Sequence, residues 1–163
     1  NHNLSFETPY EVDDEAPIFK AGEKLHELGA CNNCHFYGEV KPIQGPSTWA
    51  PNLALTKERL RPEWVIELLS NPQKIMPGTK MPAPFLPTSD LLEVDDAIDI
   101  WGKYLVELNG DNELMLQGLR DYIYAIEGTI DISDFVREYF KTHGYDFDLD
   151  DGGDDEDDWD EDW

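Results

Sequence analysis

An all-α fold is what this sequence predicts, and three observations carry the prediction. Apolar residues recur at spacings of three and four in several separate segments, the period of a helix with one buried face. No run alternates apolar and polar residues with period two over more than a few positions, so half-buried strands have no signature. Pro, Gly and Asn-Gly punctuation falls where those periodic segments would start and stop.

Residues 1–16 are polar, acidic and aperiodic, and read as an extended arm. Pro17 opens a helix at its first turn. Ile18, Ala21, Leu25 and Leu28 form its apolar stripe, and Gly29 stops it. Residues 36–61 hold Gly38, Pro42, Gly45, Pro46 and Pro51, and predict a long loop wrapped around one edge of a buried object. A loop of that length without elements of its own is usually functional. Pro62 begins a short helix, 63–70, striped by Trp64, Val65, Leu68 and Leu69 and ended by Asn71-Pro72. Residues 71–89 form a second constrained loop, with Pro77, Gly78, Pro82, Pro84 and Pro87 among the apolar Ile75, Met76, Met81, Phe85 and Leu86.

A helix is expected over 94–108, with Ala97, Ile98, Trp101, Leu105 and Leu108 on one face and Asn109-Gly110 as its stop. Asp111 or Asn112 caps the next, which runs to Glu127 with Leu114, Leu116, Leu119, Tyr122, Ile123 and Ile126 as its apolar positions. Ser133 caps a shorter helix, 134–142, closed by Gly144. The composition then gives way to Asp, Glu and Gly, which predicts a disordered tail.

At 163 residues the chain is long enough for one domain with appendages. Its formal charge of -24 is extreme and uneven. Residues 146–163 carry twelve Asp and Glu and no Lys or Arg, which is half of the net charge. Such a chain repels nucleic acid and anionic lipid, and favours basic partners or bound cations. Asp146, Asp148, Asp150 and Asp151 faintly resemble a calcium loop, but the glycine is displaced and no exiting helix follows. No apolar run is long enough to span a bilayer. A first residue of Asn with no leader-like stretch reads as a processed or excised chain.

The chemistry concentrates in Cys31-Asn32-Asn33-Cys34-His35, which holds the only two cysteines of the chain. Two thiols three residues apart can each add to one vinyl group of a porphyrin, and the following histidine can bind its iron; this spacing reads as c-type haem attachment. A thioredoxin-like pair and a zinc site are the other readings. The first lacks a preceding strand, and the second would have to recruit distant His or Asp ligands.

A thioether on the opposite face would stabilise ferrous iron and suit electron transfer. Met76, Met81 and Met115 are the methionines; Met115 sits in a helical pattern and reads as core. Pro77-Gly78-Thr79-Lys80-Met81-Pro82, preceded by Asn71-Pro72, resembles the axial-methionine loop of class I cytochromes c. The order of helix, C-x-x-C-H, Pro-Asn-Leu loop, helix, methionine loop and final helix is similar to that family over residues 16–127.

The resemblance implies a class I cytochrome c fold with one covalent haem c. In it Cys31 and Cys34 are the thioether attachments, and His35 and Met81 are the iron ligands. A proline carbonyl holds the His35 ring; Pro51 in Pro51-Asn52-Leu53 is favoured over Pro46. Trp64 is the chosen candidate, ahead of Trp49 and Trp101, for an indole bond to a haem propionate. His2, His26 and His143 are alternative distal ligands, with His26 read as a solvated surface residue. The domain layout becomes an arm (1–16), a cytochrome c domain (17–128), an accessory helix (129–145) and an acidic tail (146–163). The segment about 94–109 is a helix inserted relative to the family.

What the resemblance implies for function is a single-electron carrier, not an enzyme, working as a soluble cytochrome or as a domain or subunit of a respiratory redox complex. It would sit outside the cytoplasm, in the periplasm or on the outer face of a membrane, and meet redox partners through their basic surfaces. The alternative is a haem-based sensor or small-ligand-binding module with a labile distal ligand.

Overall fold

Pro17 occupies the first turn of α1 (Pro17–Leu28), where its missing N–H is no loss. The computed structural model describes residues 10–128 and 133–144, and the chain divides into two units, 1–130 and 131–163. In the first unit α1 is followed by α2 (Thr56–Arg59), α3 (Pro62–Ser70), α4 (Pro72–Ile75), α5 (Ser89–Leu92), α6 (Ala97–Trp101), α7 (Lys103–Glu107) and α8 (Asn112–Tyr124). In the second, α9 spans Ser133–Thr142, with Gly144 beyond it at φ 77°. Among the described residues there are isolated bridges but no strand, so the all-α expectation holds.

The first unit is built on the crossing of α1 and α8, the first and last of its helices. Asp111 caps α8 by accepting from the N–H groups of Glu113 (3.0 Å) and Leu114 (3.1 Å). Where the two helices cross, Gly22 and Gly118 face one another, and their missing side chains let the backbones meet. Ala21, Leu25, Met115, Leu119 and Ile123 fill the core around that crossing, joined by Val65 and Leu69 of α3 and Leu105 of α7. Met115 is fully buried, as its helical setting implied.

The buried face of α1 differs from the expected stripe. Phe19, Gly22 and His26 are buried with Ala21 and Leu25, whereas Leu28 is exposed. The cause is Gly22: a face with no side chain attracts α8, and the residue one turn on, His26, is drawn under Tyr122. The solvated surface histidine expected at position 26 is therefore a buried one.

A second expectation also fails. Residues 94–108 do not form one helix; α6 and α7 are separated by Gly102 at φ 81°, ψ 149°, a backbone state open to glycine alone. Ile98, placed on the buried face by periodicity, is 60% exposed, while Ala97 and Leu105 are buried. The long loops also contain short elements of their own: single 3-10 turns at Pro46–Thr48 and Leu53–Leu55, and the one-turn helices α2 and α4.

The arm docks where it is described. The Tyr10 hydroxyl donates to Asp121 (2.6 Å), its ring lies under the Arg120 guanidinium (4.5 Å), and it meets Tyr124 edge-on at 5.5 Å. His2, the tail 146–163 and its possible calcium loop lie outside the described residues.

Candidate functional site

Gly29 ends α1, and Ala30 takes a left-handed φ of 48° that turns the chain into a 3-10 turn over Cys31–Asn33. That reversal brings Cys31, Cys34 and His35 out together from the end of the helix. The backbone closes the turn through Cys34 N–H and His35 N–H, both donating to the Cys31 carbonyl at 3.2 and 3.0 Å.

The Pro-rich loop after the motif is stapled along it. Ile43 and Gln44 donate to the carbonyls of Asn32 and Asn33 at 3.0 and 2.9 Å, and Ala50 and Leu53 donate to those of Cys34 and Phe36 at 2.8 and 2.9 Å. This register sets the Pro51 carbonyl 2.7 Å from His35 Nδ1. A carbonyl can only accept, so Nδ1 carries the proton and Nε2 keeps its lone pair. Burial holds the His35 pKa below the ordinary imidazole value, with the Pro51 bond pulling the other way, so the neutral ring is favoured. Pro46, the other candidate for this bond, lies in its own 3-10 turn.

Asn52 makes the staple rigid, a side-chain role that the Pro51-Asn52-Leu53 motif does not reveal. Its buried side chain accepts from Gly38 N–H (3.0 Å), donates to the Gly38 carbonyl (2.8 Å) and accepts from Ala54 N–H (3.1 Å). Gly38, at φ 58°, makes the tight turn that pairs Tyr37 with Val40. Pro51-Asn52 thus holds both the histidine and the turn that follows it.

Cys31 and Cys34 are half-buried and form no disulfide with one another. Burial pushes the Cys31 thiol up, opposite to the lowered pKa of a nucleophilic redox cysteine. Among the described residues no three His, Cys, Asp or Glu side chains are grouped to hold a bare metal ion.

The methionine loop has its own scaffold. Asn71 caps α4 by accepting from Lys74 N–H at 3.1 Å. Thr79 N–H then donates to the Met76 carbonyl (3.0 Å) across Pro77-Gly78, with Gly78 at φ 87°, the requirements of a type II turn. Met81 N–H donates to Thr79 Oγ1 (3.2 Å), and the Gln73 amide donates to the carbonyls of Thr79 and, at 3.5 Å, Met81. The turn separates the two loop methionines. Met76 is 49% exposed, whereas Met81 is half-buried and packs on the core cluster. Gln73 had no signal in the sequence, since a lone polar residue in a one-turn helix carries no pattern.

His26 joins the neighbourhood instead of solvent. Its Nε2 is hydrogen-bonded to the Tyr37 hydroxyl, and its ring lies 4.7 Å from that of Tyr122. Burial, then the proximity of His35, pushes its pKa down to about 4, so it is neutral at pH 7. His143 instead bonds the Tyr139 carbonyl of its own helix at 2.9 Å. Of the three candidate tryptophans, Trp49 donates to the Gln44 carbonyl and Trp101 to the Leu91 carbonyl, both at 3.1 Å. Trp64 is half-buried against the core, and its indole N–H has no partner among the described residues.

No family model matches the chain, and no curated protein matches it either. No described helix is long and apolar enough to cross a membrane.

Proposed function

We propose that the chain is a single-electron carrier with one covalently attached haem c, built on a class I cytochrome c fold. The observation that carries the reading is the 2.7 Å bond from His35 Nδ1 to the Pro51 carbonyl, made by the residue that directly follows the Cys31-to-Cys34 pair. The donor set fits the group: Cys31 and Cys34 would supply the thioether links, His35 would offer Nε2, and Met81 would offer a thioether from the second Pro-rich loop. Met81 is preferred to Met76 because it packs inward. When bound, haem supplies reversible one-electron chemistry at its iron.

The chain's own contributions are positional. The Pro51 carbonyl fixes the tautomer and plane of the His35 ring, and the adjacent Asn52 ties that segment to Gly38. The Gln73 and Thr79 bonds preset the methionine loop, so little reorganisation accompanies a change of charge. Trp64 is the candidate donor to a propionate. The excess of Asp and Glu favours the more positive redox state and opposes the thioether. Partners would be redox proteins with basic surfaces, and covalent attachment would put the chain outside the cytoplasm.

The test is the visible spectrum of the purified chain in both redox states, with intact mass and thiol titration. A c-type reduced spectrum and no titratable thiol support the reading; free thiols and no visible band sink it. Carbon monoxide separates the carrier from the sensor alternative, since ready binding to the ferrous protein at neutral pH requires an open sixth position.

A further inference from the structure

The segment between the methionine loop and α8 leaves an unusual amount of apolar surface uncovered. Phe85 is 58% exposed, Ile98 60% and Ile100 44%, and Leu91 and Val94 are also exposed. Phe85 stacks on the Trp101 ring at 6.0 Å and 25°, and the Trp101 N–H is tied to the Leu91 carbonyl. The surface is thus held in place, not frayed. On α6 the inward residues are Ala97 and Trp101. At about 100° per residue, Ile98 and Ile100 take the two flanks and Asp99 the outermost line.

The charge of this segment is of one sign. Asp90, Glu93, Asp95, Asp96 and Asp99 are all exposed, and no Lys or Arg lies between Pro82 and Gly102. Among the described residues none of the five is in an ion pair. A second copy of the chain would bring carboxylates against carboxylates, and an anionic bilayer would be repelled in the same way. The complement is a protein face with Lys or Arg set between apolar strips, the cation opposite Asp99 and the strips opposite Ile98 and Ile100.

We propose that α5, α6 and the Phe85–Trp101 stack form a docking surface for a partner protein whose face sets Lys and Arg between apolar strips, with Ile98 and Ile100 against the strips and Asp99 against the cations. The inference rests on exposed side chains and charge alone, so it stands or falls apart from the haem reading.

The probe is a fluorescent helix-forming Leu/Lys peptide with one apolar face, titrated into the full chain at fixed ionic strength. Ile98→Ser with Ile100→Ser, which leaves charge unchanged, is expected to weaken binding about tenfold. Asp96→Asn with Asp99→Asn is expected to weaken it about threefold and flatten the salt dependence. Glu11→Gln with Asp13→Asn, an equal charge change elsewhere, is expected to leave it unchanged. Binding that ignores the two isoleucines, or that follows net charge wherever it is removed, overturns the proposal. So does self-association of the parent chain abolished by the isoleucine changes, or flotation of the chain with neutral or anionic phospholipid vesicles. Both isoleucines are exposed, and far-ultraviolet circular dichroism verifies that each variant is folded.

Discussion

A Cβ on Gly22 would lie 1.9 Å from the carbonyl oxygen of Gly118, and one on Gly118 would lie 2.2 Å from that of Ile18. Both clashes are with backbone, which has no rotamer to yield. Gly22→Val is therefore expected to cost ~3 kcal/mol or more, because α1 and α8 must separate. Gly45→Ala, with nothing within 4 Å, is expected to be neutral within ~0.5 kcal/mol. Urea unfolding of both variants checks the contrast; similar midpoints would refute it.

Asn52→Ala removes three hydrogen bonds at once and leaves the Gly38 N–H and carbonyl without their partner. The expected loss is ~2 kcal/mol, read from the same unfolding curves. Because Pro51 is next in the chain, the His35 ring is expected to loosen as well. On the haem reading this broadens the low-temperature spectrum of the oxidised iron.

The two loop methionines give opposite expectations. On the haem reading, Met81→Ala should lower the reduction potential and let the ferrous protein bind carbon monoxide at pH 7. Met76→Ala should do neither, since its side chain is largely in solvent. Potentiometry and carbon monoxide difference spectra decide it, and a reversed pattern would assign the ligand to Met76.

Tyr10 and Tyr124 set an alkaline limit. Burial, with the Asp121 bond for Tyr10, raises both phenols to about 12 from the ordinary 10. Above pH 10 the unfolded chain loses these protons while the folded chain keeps them, so stability falls as pH rises towards 12. Below pH 10 the contribution is fully present. Tyr10→Phe is expected to flatten the fall in urea midpoint between pH 10 and 12; an unchanged slope would show that Tyr10 does not contribute.

The ease of reading different parts of the chain followed their physics. Helices α1, α3, α8 and α9 announce themselves through period and punctuation, because a half-buried helix must repeat its apolar residues every turn. Gly102 defeated the same logic. Ala97, Trp101 and Leu105 keep perfect helical spacing across it, yet one glycine at positive φ breaks the helix without disturbing the pattern. His26 was misjudged because Gly22, a residue with no hydrophobic signal, decides which face is buried. The reactive residues of the site were legible as a motif. Their supports, Asn52, Gln73 and Tyr37, were not, since a hydrogen bond between residues distant in sequence has no period.

The clasp between Tyr10 and Asp121 joins residues 111 positions apart, and the α1–α8 crossing joins Gly22 to Gly118 across nearly as long a stretch of chain. Closing so long a loop costs entropy before any contact repays it, so the two ends of the unit must find each other early or together. The amides of α1 and α8 should then exchange with deuterium at one common rate, slower than those of the segment from Cys31 to Thr88 between them.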